Sequence, residues 1–228
     1  MADRTAKETK NEHTEKMGKE LGEQFSQLWQ ELTHLYANWN EYVVLFGTKP
    51  ERIKLLNEAS PSFFRMLQDE LWAATLLHIA KLTDWPETGG QKNLTFRNFS
   101  DLIQDVEFKK EIAALTNEII THTKFAKQSR NKRIAHLDLK LAINGTAEEV
   151  ESGSREQVKH SLELMTKLMN TVAQHFGVTP TAFNMATRSN GAIGLIYLLD
   201  EGLRERAKQI ERLEKGEMHK DDFPARDL

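Results

Sequence analysis

The chain has 228 residues, 39% of them hydrophobic and 29% charged, with a formal net charge of −3 and no cysteine. Such a chain can bury one substantial core, and it excludes disulfide stapling, cysteine-based zinc sites and a cysteine nucleophile. The opening stretch MADRTAKETKNEHTEKMGKE lacks the apolar segment of a secretory leader, and no run approaches the roughly 20 apolar residues of a membrane span, so a cytoplasmic protein without membrane contact is expected.

Leu, Ala, Glu and Lys dominate the periodic stretches, which predicts helix nearly throughout. Residues 1–14 are polar and without periodicity, and read as a flexible lead. From Met17, apolar residues fall at Leu21, Phe25, Leu28, Leu32, Leu35, Trp39, Tyr42 and Phe46, one stripe on a long helix that Gly47 and Pro50 end. A second helical region starts near Pro50. Ser60-Pro61 is either an N-cap with proline at the first helical position or a kink in one longer helix. Phe63 to Leu82 is apolar on nearly all sides and is predicted to be the most buried helix, with His78, like His34, packed against apolar neighbours. The run Asp84-Trp85-Pro86-Glu87-Thr88-Gly89-Gly90 is rich in breakers and stops it.

Thr95 can cap a short helix bearing Phe99, Leu102, Ile103 and Val106, and another helix carries Ile112, Leu115 and Ile119. Residues 144–154 form a polar, acidic loop. Ser154 with Gln157 makes a capping box for a helix whose stripe is Val158, Leu162, Met165, Met169, Val172 and Phe176. A last helix runs from Gly191 to about Lys215, its second half laced by Glu205–Lys208 and Glu211–Lys215. These elements predict an all-α protein, an antiparallel bundle of five or six helices, with a flexible lead over 1–14, the bundle over 15–178 and a helical extension with a polar tail over 179–228.

His136 with Asp138, and His219 with Asp221 and Asp222, have neither the helical histidine pair nor a third ligand at a metal-site spacing, so no metal or cofactor is expected. Glycine-rich phosphate loops and the serine-hydrolase elbow are absent as well. The outstanding feature is basic. Lys124 to Lys140 reads KFAKQSRNKRIAHLDLK and carries +5, so the remainder of the chain sums to −8. A compact basic island on an acidic protein suits a local anionic partner, although a solvated basic helix end is the plain alternative. Within it, Arg130, Asn131 and His136 form a set for phosphate chemistry. The arginine offers bidentate hydrogen bonds, the asparagine adds neutral donors, and the histidine can hold a proton near neutral pH. On an ideal helix Arg130 and His136 lie about 120° apart. Arg133, one turn before His136, is better placed on a regular helix to share Arg130's role.

The run Arg130-Asn131-Lys132-Arg133-Ile134-Ala135-His136-Leu137-Asp138 resembles the Arg-x4-6-His signature of the HEPN superfamily. The stretches Arg52–Asn57, Ser60–Phe64, Ile79–Asp84 and Asn93–Thr95 extend the resemblance to its abortive-infection branch, the one lettered U with the ordinal two. That likeness implies an all-α bundle that often homodimerises with both motifs facing one cleft. It also implies endoribonuclease activity that needs no metal and leaves a 2′,3′-cyclic phosphate, in systems of toxin and antitoxin or phage defence. By position, Arg130 and His136 become the catalytic pair and Asn131 the polar residue after the arginine. Lys127, Lys132 and Arg133 become backbone-phosphate contacts by their charge. The implied partners are RNA, a second copy and a cognate antitoxin. The rival expectation is a catalytically inactive module that binds RNA or a protein, and a third is a purely structural dimer with His136 as a buried anchor.

Overall fold

The computed structural model describes residues 5–47, 49–131, 153–217 and 222. Among them the fold is all-α, and the helices outnumber the five or six expected. The polar lead is itself helical, as α1 (Ala6–Met17). Its start is a capping box in which the Thr5 hydroxyl accepts from the Glu8 amide while the Glu8 carboxylate accepts from the Thr5 amide. In place of an apolar stripe, α1 is anchored by His13, 3% exposed, and Met17, 7% exposed. His13 meets Phe25 edge to face at 4.9 Å.

The long stripe behaves as its spacing predicts. On α2 (Lys19–Phe46) all of Leu21, Phe25, Leu28, Leu32, Leu35, Trp39, Tyr42 and Phe46 are 8% exposed or less, and Leu28, Leu32 and Leu35 are fully buried. Each such leucine contributes about 1.5–3 kcal/mol by leaving water. The Ser60-Pro61 ambiguity resolves into two helices, α3 (Pro50–Ala59) and α4 (Pro61–Leu82), because Ser60 takes an extended backbone with φ −166° and ψ 85°. The most buried helix is α2, not α4. Phe63 and Met66 on the first half of α4 are about half exposed, Phe64 alone being buried there, and continuous burial comes only with Thr75, Leu76, Ile79 and Ala80. Hydrophobicity around a helix measures what could be buried; an actual neighbour decides what is.

The chain divides into two compact units, Met1–Asn40 with Glu70–Thr187, and Glu41–Asp69 with Arg188–Leu228. In the first, the breaker-rich run after α4 makes more than a stop. It forms a two-residue hairpin of β1 (Glu87–Thr88) and β2 (Gln91–Lys92), in register Glu87 with Lys92 and Thr88 with Gln91. Gly89 and Gly90 both have positive φ, +61° and +78°, the backbone that tight hairpin turns require. Asn93 locks its base, donating to the Trp85 carbonyl at 2.8 Å and, through its amide, to Pro86 at 2.7 Å.

A 3₁₀ turn at Phe96–Asn98, capped by Thr95, leads into α5 (Phe99–Leu102) and then α6 (Val106–His122), capped by Asp105. α6 packs on α8 (Arg155–His175), whose Ser154–Gln157 capping box forms as its sequence predicts. Val158, Leu162, Met165, Met169 and Val172 are all buried on α8. Between α6 and the undescribed stretch 132–152 stands α7 (Lys124–Ser129). In the second unit, α9 (Ala192–Glu214) packs on α3 and carries the expected Glu205–Lys208 and Glu211–Lys215 pairs.

Candidate functional site

The described part of the basic island starts where α6 ends. Thr123 donates its hydroxyl back to Ile119, closing α6, and then starts α7 with Phe125, Ala126 and Ser129 buried. That burial fixes the opposite, basic side of a helix too short to stand alone. At its end Arg130 and Asn131 lie in a π-helical turn. Such wide turns depart from the register of an ideal α-helix. Lys132, Arg133 and His136 themselves lie outside the described residues.

Arg130 is held from two sides. Its Nη1 donates to the Asp84 carboxylate, and its Nε donates to Asn131 Oδ1 at 3.0 Å. The Arg130 and Asp84 side chains are 19% and 18% exposed, so salt screens this pair less than a solvated surface bridge. Lys127 adds its ammonium at 3.5 Å from the other carboxylate oxygen. Burial works to raise the Asp84 carboxyl. The Arg130 hydrogen bond, the Trp85 amide and the charges of Arg130 and Lys127 outweigh it, and hold Asp84 below its ordinary value.

The loop carrying Asp84 is itself pinned. Thr95 donates its hydroxyl to the carbonyls of Leu82 and Asp84, each at 3.0 Å, and Arg97 Nε donates to the Thr83 carbonyl at 3.0 Å. The Arg97 guanidinium lies over the Trp85 ring, 4.3 Å from its centroid, and Lys127 Nζ lies 5.1 Å from it. Burial lowers the Arg97 pKa from its ordinary value, and the Asp84 charge opposes the shift. Three cations and one carboxylate thus meet at the junction of the α4 end, the hairpin base and α7.

Of the residues singled out from sequence, the structure brings together Arg130, Asn131 and Lys127. Asp84, Trp85 and Arg97 were missed as site residues. Their run reads as helix breakers and a cap, and only folding carries a carboxylate 46 positions upstream onto Arg130. The histidines sort differently than expected in one case. His78 is packed and bonds Glu31 at 2.9 Å, but His34 is exposed. His122, His160 and His175 lie at the surface, and His122 meets His160 edge to face at 4.6 Å near the start of α7. No group of three His, Asp or Glu side chains among the described residues is arranged to hold a metal ion, and no helix among them is long and apolar enough to cross a membrane.

No curated protein and no solved structure shows a significant match to the chain. The sequence profile of the HEPN-type AbiU2 family matches residues 18–194, which takes in α2, both sides of the Asp84–Arg130 pair and the whole Arg-x5-His run. With an all-α fold and more than half its length matched, the chain belongs to the AbiU2 family of HEPN proteins.

Proposed function

We propose that the chain is a metal-independent endoribonuclease of the abortive-infection kind. The observation that carries this reading is Arg130, withdrawn from solvent inside a basic segment and aimed by Asp84 and Asn131. A guanidinium carries five N–H donors, so a phosphate can be met without giving up the Asp84 pair. In the proposed reaction a base removes the proton of the 2′-OH and that oxygen bonds to phosphorus. The bond from phosphorus to the 5′-oxygen breaks, and an acid returns a proton to the departing oxygen. The products are a 2′,3′-cyclic phosphate and a 5′-hydroxyl, with no water or redox partner consumed. His136 takes one of the two proton roles, as base when neutral or as acid when protonated. Arg130 offsets the charge that builds on the phosphate oxygens. Lys127, Lys132 and Arg133 hold flanking phosphates. A homodimer sharing one cleft and a restraining antitoxin belong to the same proposal.

The test is total RNA incubated with the purified chain in EDTA. Wild type is expected to leave cyclic-phosphate ends, and Arg130→Ala and His136→Ala to cut roughly a hundredfold less or worse while staying folded. Equal cutting by wild type and His136→Ala would overturn the assignment.

A second reading draws on the Arg130–Asp84 pair itself, since an arginine closed on a carboxylate also suits a clasp in a module that binds RNA without cutting. The two part on His136→Ala. A binding module keeps its RNA affinity and has no cutting to lose.

A further inference from the structure

Trp85 stands apart from the buried indole of Trp39. It is 57% exposed against 5%, yet the backbone on both sides of it is fixed. Asn93 holds the Trp85 carbonyl, Thr95 holds the Asp84 carbonyl, and Arg130 holds the Asp84 side chain. The indole is thus open to solvent on a backbone that is held in place. Over its ring sit two cations of unequal freedom. Arg97, at 4.3 Å, is tied by its Nε to the Thr83 carbonyl. Lys127, at 5.1 Å, is tied among the described residues by a 3.5 Å approach to Asp84, and its longer distance makes it the more readily displaced.

We propose that Trp85, backed by Arg97, is a stacking subsite for an unpaired nucleobase of single-stranded RNA, next to the phosphate position at Arg130. The proposal rests on the RNA-cleaving reading above and adds the form of RNA that the site takes. An indole and a guanidinium plane both accept the π face of any base, and neighbouring lysine and arginine charges meet its phosphates. A base inside a duplex has both faces covered by its neighbours and cannot reach the indole. The subsite therefore selects loops, bulges and free ends. Lys127 links the two halves, since a base on the ring frees its ammonium for the backbone phosphate beside Arg130.

The experiment titrates the full wild-type chain with a fluorescent single-stranded RNA probe of 2′-O-methyl nucleotides, which lacks the attacking hydroxyl, and with the same probe as a duplex. Binding is read by anisotropy. Trp85→Ala is expected to weaken single-strand binding roughly ten- to a hundredfold and leave duplex binding unchanged, whereas Trp85→Phe retains most of it. Indole fluorescence should be quenched by the single strand in wild type and not in Trp85→Phe. Should Trp85→Ala fail to fold, that quenching difference and an Arg97→Ala variant decide. Wild-type affinity in Trp85→Ala, or an equal loss for both probes, overturns the subsite while the RNA reading stands. A wild-type chain that binds neither probe removes the RNA reading and the subsite with it.

Discussion

Asp84 shows how a single carboxylate can organise a basic site without cancelling it. Its carboxylate orients Arg130 and approaches Lys127, while its backbone carbonyl accepts from Thr95 and so helps anchor the loop that presents Trp85. Asp84→Asn keeps the shape and removes the charge, leaving a mostly buried guanidinium with a weaker acceptor. The expected cost is about 1–3 kcal/mol in a denaturant melt, with Arg130 less well aimed and cutting reduced. The lowered Asp84 value gives a sign to the acid response. Its stabilisation is fully present above the ordinary carboxylate range and is lost as pH falls through the lower folded value. Two histidines act higher on the scale. Burial lowers His13, with the nearby Glu12 opposing, and burial lowers His78 against the pull of Glu31. Each holds its proton less readily in the folded chain than in the unfolded one, so the unfolded state binds protons first and stability should fall as pH drops below about 6.5. Urea midpoints between pH 8 and pH 5.5 check this. His13→Leu, which removes a ring whose buried Nδ1 has no hydrogen-bond partner among the described residues, should flatten part of the slope.

At the scale of elements, periodicity identified the stripes and missed whatever is held by close approach or by cross-chain bonds. α2 and α8 were legible because 3.6-residue spacing is itself the burial pattern. The helix α1 was not, since it docks through His13, Met17 and the absence of a side chain on its neighbour. A Cβ at Gly22 would meet the Thr14 Cα at 2.5 Å and the His13 carbonyl oxygen at 2.6 Å. Gly22→Ala is therefore expected to push α1 off α2, at about 1–3 kcal/mol, with amide exchange faster in Ala6–Met17 than in α8. In the same way Asp84-Trp85-Pro86 announced a helix stop but gave no hint of what the stop would carry. Arg130 and Asn131 stood out by residue type and spacing; their carboxylate partner came from another element and had no local signal.

For the whole molecule, core and site draw on different parts of the physics. Truncating the centre of the core, Leu32→Ala, should cost about 2–5 kcal/mol and lower the thermal midpoint. The site should respond to salt instead. A strand held by Arg97, Lys127 and Arg130 releases counterions on binding, so RNA affinity is expected to fall steeply between about 50 and 200 mM salt while the melting point barely moves. The all-α architecture followed from composition, but its division into 1–40 with 70–187 and 41–69 with 188–228 did not. The boundaries at 40/41 and 69/70 fall within the continuous helices α2 and α4, which leave no breaker residues to mark them.

The Asp84–Arg130 pair has a further consequence for what can compete at the site. An acceptor built into the same chain is present at a fixed effective concentration that dilution cannot lower. A lone inorganic phosphate or mononucleotide meets, through one point of attachment, a guanidinium whose charge Asp84 already partly answers, and should bind poorly even where it is abundant. A strand engages several cations at once, so its second and third contacts become intramolecular and the balance turns in its favour. The site is thus expected to count phosphates, ignoring the small anions of its surroundings and answering to a polymer.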